Sequence, residues 1–220
     1  MKLLIIGISS NHGLEKSYYR AALNCGFDTH FIDYQYIMSK YIKGWRIGKL
    51  INLFLPIEQW TRKMNREIII MLKEITPDVV LIVGNAKILY GTLMTLKTLN
   101  SRQKLVWIWP DTPLNMELNS VSNGLLVDLF ATYSSFSIPV FQKLNFSNVK
   151  WLPLGFDESL YLCGPNSGVY SVDIGFVGGW RPEREMVLEY IIRNFPELVI
   201  DTKLHPHQEQ LVIGKVLTLR

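Results

Sequence analysis

Gly178, Gly179, Arg181 and Arg184, in the stretch VDIGFVGGWRPERE, are the residues best matched to anion chemistry. Two glycines let a backbone approach a ligand closely. Pro182 suits the first position of a helix, whose free N–H groups and positive dipole end favour a phosphate. Arg181 and Arg184 could neutralise a diphosphate. Guanidinium groups fixed there would stabilise a departing diphosphate more in the transition state than in the ground state. An ordinary surface helix carrying two arginines accounts for the same residues.

A second polar loop, GISSNHGLEKS, follows the first apolar run. It is neither a GxGxxG turn nor a Walker A loop, because no Gly-Lys-Ser/Thr follows Gly13. Ser10 and Asn11 are small donors at a helix start and are candidates for substrate binding, as is Glu15, whose alternative is pairing with the helix dipole. His12 is a candidate general base, or simply an exposed histidine. Asp111, in VWIWPDTP, lies between two prolines directly after an apolar run. It is either a second catalytic candidate or the origin of an Asx turn. Asp33, at the end of FDTHFID, occupies the ribose position of a dinucleotide fold, but the glycine fingerprint that should precede it is missing. His205 and His207 flank a proline with no third ligand nearby, so no metal site is expected.

The elements that must position these residues read clearly. KLLIIG, FDTHFID, DVVLIVG, KLVWIW, DLFAT, VKWLP and VDIGFVG are short apolar runs separated by segments long enough for crossover helices. Runs of this kind predict a Rossmann-like parallel sheet with helices on both faces. In such sheets ligands gather at the carboxyl ends of the strands, where the candidate loops fall. LEKSYYRAALNCG predicts a helix closed by Gly26. Gly155, Gly164, Pro165 and Gly168 cluster after VKWLP, which predicts one domain over 1–154, a linker over 155–171 and a second unit over 172–220.

Composition narrows the class. The chain has 220 residues, is 48% hydrophobic and 19% charged, and carries a net charge of +4, too mild for a nucleic-acid partner. Cys25 and Cys163 stand alone, as expected of a reducing compartment rather than a disulfide framework. The apolar run Leu3–Ile6 is shorter than the roughly 7–15 residues of a signal peptide, so the expected location is cytoplasmic. Residues 40–66 hold seven Lys/Arg and one acid, Glu58, interleaved with Trp45, Leu50, Leu53, Phe54 and Trp60. They read either as a connection packed on the sheet or as a basic surface for peripheral membrane contact or a glycan.

Taken in order, KLLIIG…LEKSYYRAALNCGFDTHFIDY, NREIIIMLKEITPDVVLIVG, LVWIWPDTP, DLFATYSSFSIPVFQKL, VKWLPLGFDESLY and VDIGFVGGWRPERE resemble the glycosyltransferases related to the spore-maturation protein CgeB, of the two-domain GT-B class. The likeness runs over residues 2–195. It implies an acceptor-side N-terminal domain and a donor domain that binds a nucleotide sugar as co-substrate, without a metal or other cofactor. Gly178, Gly179 and Arg184 match the family's diphosphate loop, and the loop with His12, together with Asp111, would face the acceptor, whether glycan, protein or lipid-linked. The resemblance also implies a donor domain that continues well past Arg220. The expectation is therefore a chain that is a fragment or is completed by a partner, with weak or no turnover alone. A non-catalytic glycan- or membrane-binding module is the alternative.

Overall fold

A computed structural model describes residues 1–42, 48, 58–160, 172–179 and 181–205. The chain divides into two units, Met1–Tyr161 and Leu162–Arg220.

The first unit is a six-stranded sheet. Its strands are β1 (Lys2–Gly7), β2 (Asp28–Asp33), β3 (Val79–Val83), β4 (Lys104–Trp109), β5 (Leu129–Thr132) and β6 (Val149–Trp151). All neighbours are parallel and the order is β2-β1-β3-β4-β5-β6. Among the described residues, the α-helices between them are α1 (Leu14–Asn24), α2 (Tyr34–Tyr41), α3 (Glu58–Ile75), α4 (Tyr90–Leu99), α5 (Leu118–Gly124) and α6 (Ile138–Lys143).

The period-2 alternation of each strand supplies two apolar faces. Leu4, Ile6, Ile32, Val80, Ile82, Leu105, Trp107, Phe130 and Val149 face one layer, which also contains residues of α2, α3, α4 and α6. Ile5, Leu81, Val83, Ile108 and Ala131 face the other, where Leu14, Tyr18 and Tyr19 of α1 pack. In α3, Met64, Ile68 and Leu72 recur every four residues and are buried, the spacing that keeps one side of a helix on a sheet. Asn65, 2% exposed, lies on the same side. Its carboxamide donates to the Thr61 and Lys87 carbonyls and accepts from Leu89 N and Thr92 Oγ1, fastening α3 to the start of α4.

α1 stops where expected, with one refinement. Cys25 is the C-cap, and Gly26 follows it at φ +78°, the left-handed position that glycine occupies without strain. Beyond β6 the chain turns back toward α1. Leu152 N still bonds the Thr132 carbonyl on β5, while Asp157 reaches Arg20 on α1. The four strand steps from β6 to β1 amount to about 19 Å, a span that six extended residues cover.

In the second unit, β7 (Ile174–Gly179) and β8 (Ile200–His205) pair in parallel, with α7 (Pro182–Asn194) between them. Among the described residues, no helix is long and apolar enough to cross a membrane.

Candidate functional site

The order β2-β1-β3 makes β1–β3 the point where successive crossovers leave in opposite directions, and crevices form at the carboxyl end of such a point. Four neighbouring strands deliver polar groups there. After β1, Ser10, Asn11 and His12 are exposed on a tight loop in which Gly13 N bonds the Ser10 carbonyl at 2.9 Å. Glu15 turns back over the end of β1. A Cβ on Gly7 would collide with its side chain, and its Oε1 accepts from Ile8 N at 3.4 Å. Glycine at position 7 is thus what lets the carboxylate lie against the strand end.

Asp33 ends β2 as a structural residue. Its Oδ1 accepts from Tyr36 N at 2.9 Å and caps α2, while Oδ2 accepts from Ser9 N at 3.1 Å and ties down the β1 loop. Asn85, two residues past the end of β3, donates to the Asn115 carbonyl and accepts from Glu117 N and Ser120 Oγ. It thereby fixes the loop after β4. In that loop Asp111 Oδ1 accepts from Thr112 N and Oδ2 accepts from Asn115 Nδ2, both at 2.7 Å. Asp111 thus braces its own loop but does not form the Asx turn of the structural alternative, since it bonds the N–H of the next residue and Thr112 caps the short helix that follows; its exposed carboxylate sits at the ligand edge of the sheet.

The structure does not bring the two catalytic candidates together. His12 lines a groove of about 770 Å³ between α1 and residues 155–160, alongside Ser17, Arg20, Phe156 and Asp157. Asp111 is engaged within its own loop, and the two share no contact among the described residues. Glu15 meets different neighbours: its negative field, with those of Glu117 and Asp33, reaches the Tyr34 hydroxyl. Burial first, then these three acids, push that hydroxyl well above the ordinary tyrosine value. Tyr34, Asn85 and Glu117 were missed in the sequence. Asn85 was open to the rule applied to the other loops, since it directly follows the run DVVLIVG.

In the second unit, Gly178 and Gly179 end β7 at its carboxyl end, as the sequence suggested. Arg181 is the N-cap of α7, and Pro182 takes the first helical turn. Arg184 folds back: Nη1 donates to the Gly179 carbonyl at 2.8 Å, and its guanidinium lies 5.9 Å from the centre of the Phe176 ring. The Arg181 side chain makes no pairing among the described residues.

Much of the basic segment 40–66, including Trp45, Leu50, Leu53 and Phe54, lies outside the described residues. At its two ends the cations have local partners. Lys40 pairs with Glu67, Arg62 with Glu58, and Lys63 lies over the Tyr41 ring. Hydrogen bonds from Lys40 and then Tyr41 hold the Glu67 carboxyl below its ordinary range. Trp60 packs on the core beneath the sheet. His205 falls in β8, and His207 lies outside the described residues. Among the described residues, no group of three His, Cys, Asp or Glu could hold a metal ion.

No family model matches this sequence, and no curated protein sequence matches it. Similarity appears in solved structures. The UDP-GlcNAc 2-epimerase of Methanocaldococcus jannaschii matches over 93% of this chain and 66% of its own, at 16% identity and TM-score 0.53. A putative UDP-N-acetylglucosamine 2-epimerase of Listeria monocytogenes matches over 93% of this chain and 62% of its own, at 11% identity and TM-score 0.53. A trehalose-6-phosphate synthase studied for glycosyl transfer with retention matches over 93% and 63%, at 12% identity and TM-score 0.52. The chain spans just under two thirds of the length of these structures. At such identities the likeness is one of architecture, and the fold is the Rossmann-like, GT-B-like fold that UDP-sugar epimerases and glycosyltransferases share.

Proposed function

We propose that this chain is glycosyltransferase-like and binds a nucleoside-diphosphate sugar, whose sugar is transferred to a hydroxyl-bearing acceptor. The observation that carries the reading is the end of β7. A twin-glycine strand terminus leads into a helix N-terminus with Arg184 folded onto the strand end and Arg181 at the cap. That combination suits a diphosphate, and nucleotide-sugar enzymes share the fold. In this reading Gly178 and Gly179 admit the diphosphate, Arg181 neutralises it, and Arg184 holds the loop in shape. Ser10, Asn11 and Glu15 contact the acceptor. His12 or Asp111 takes the acceptor's hydroxyl proton as the acceptor oxygen bonds the anomeric carbon and the bond to the diphosphate breaks.

The finer assignment is to the CgeB-related glycosyltransferases, on the ordered motifs quoted above. It takes residues 1–154 as acceptor side and 172–220 as donor side, without a metal. The test is calorimetric titration with UDP, TDP and UMP. Diphosphates are expected to bind at least tenfold tighter than the monophosphate, a preference that Arg181→Ala abolishes. Equal affinity for UMP and UDP, or none for either, removes the reading.

A further inference from the structure

β2 is a terminal strand of the six-stranded sheet, and among the described residues no strand pairs with its outer edge. A groove of about 490 Å³ opens there, and both Phe31 and Ile32 line it. Consecutive strand residues point to opposite faces, and these two belong to the two separate apolar layers. A groove that touches both runs along the strand edge, between the layers, with the outer edge of β2 as its floor.

The two walls differ. Lys16 of α1 stands on the Phe31 side, its ammonium 4.4 Å from the centre of the Phe31 ring and 4.9 Å from that of Tyr19. Among the described residues it meets these rings and no carboxylate. On the other side stand Ile37 and Met71, which belong to the layer of Ile32, and the Lys40 charge there is already met by Glu67. One wall therefore suits an acid and the other an aliphatic group.

An extended peptide offers both, because its side chains alternate between the two sides while its backbone pairs with the strand edge. A lipid headgroup or a free anion would meet Lys16 but leave the backbone groups of that edge without partners. A second copy of this chain fits poorly. Two-fold antiparallel pairing of β2 with itself sets both α1 layers, and two uncompensated Lys16 groups, on one side of the joined sheet. Lysine beside an open edge also turns away neutral and basic strands.

We propose that the outer edge of β2 accepts an added strand from a partner protein in which acidic and aliphatic residues alternate, the acids facing Lys16 and the aliphatic side chains facing Ile37 and Met71. The proposal goes beyond the transferase reading and does not depend on it.

The test is fluorescence anisotropy on the full chain with three labelled hexapeptides, in which valine alternates with glutamate, threonine or lysine. Amide hydrogen exchange of β2 is followed in parallel. The glutamate peptide is expected to bind roughly fivefold tighter than the threonine peptide, with the lysine peptide weakest. Lys16→Gln should erase that preference and Lys16→Arg should keep it, each in a chain whose melting curve shows it folded. Exchange within Thr29–Asp33 should slow on binding. One of the two alternately N-methylated forms of the glutamate peptide should fail to bind, since an added strand needs those donors. No binding of any peptide, equal affinity for all three, or a preference that survives Lys16→Gln overturns the proposal. So does binding that leaves β2 exchange unchanged, because a free anion site would behave that way.

Discussion

Arg20 on α1 and Asp157 beyond β6 are 137 residues apart in sequence and joined at one carboxylate oxygen, which accepts from Nε at 2.8 Å and from Nη2 at 2.5 Å. The same Nη2 contacts Ser17 Oγ and the Asn11 carbonyl, so one guanidinium links the β1 loop, α1 and the returning chain. Asp157's other oxygen accepts from the Ser159 backbone and hydroxyl. First Ser159 and then Arg20 hold the Asp157 carboxyl at about 2.

That depressed value gives a signed pH prediction. The charged form is favoured in the fold, so its stabilisation is complete above the unfolded value of about 3.9 and is lost as pH falls through about 2. Asp157→Asn should lower the melting temperature at pH 7, and the gap to the wild-type chain should narrow steadily below pH 4. Melting curves taken between pH 7 and pH 2.5 check it. A gap that widens toward acid refutes the linkage.

Gly124 ends α5 with no room for a side chain. A Cβ there would drive into Phe146, 4% exposed and packed against Phe130 and Phe141 with ring centres 4.7 and 5.4 Å away. Gly124→Ala should destabilise by about 1–2 kcal/mol, the overpacking cost less the helix propensity gained. Urea unfolding should show a lower midpoint at unchanged slope.

Asn65 offers a larger loss. Asn65→Ala removes four hydrogen bonds and strands the Leu89 N–H and Thr92 hydroxyl away from water. The expected cost is about 2–4 kcal/mol. Thr92→Val, which deletes one partner only, should cost less than half as much in the same unfolding measurement.

Asp111 can be separated into its two roles by one substitution. Asparagine keeps an oxygen for Thr112 N but removes the charge. Under the catalytic role, Asp111→Asn lowers sugar transfer about 10²-fold or more with nucleotide affinity unchanged. Under the loop-bracing role alone, the melting temperature falls slightly, because the acceptor for Asn115 Nδ2 is lost, and transfer stays near wild type. Steady-state transfer with calorimetry on the same sample discriminates.

Arg181 and Arg184 should differ as well. Arg184 is committed to the Gly179 carbonyl and the Phe176 ring, whereas Arg181 has no competing partner among the described residues. Arg184→Lys should weaken UDP binding because an ammonium cannot reproduce both the bond to the Gly179 carbonyl and the planar contact over the Phe176 ring. Arg181→Lys should retain most of the affinity, since charge alone suffices at a helix start. Calorimetry at two salt concentrations checks both.

The Val/Ile/Leu runs of β1, β3 and β4 determined a parallel sheet from sequence alone, because only strands buried on both faces tolerate unbroken apolar runs. The four-residue spacing of Met64, Ile68 and Leu72 likewise set the buried side of α3, and the glycine pair with Pro182 located the end of β7 and the start of α7. These are local properties, legible wherever periodicity and backbone preference decide. Strand order is not local. Periodicity does not say that β1 lies between β2 and β3, so it could not bring Glu15, Tyr34, Asn85 and Glu117 to one edge. Nor could it turn the chain after β6 back onto Arg20. Those meetings depend on which apolar faces pack together across the whole sheet, and only the folded chain settles that choice.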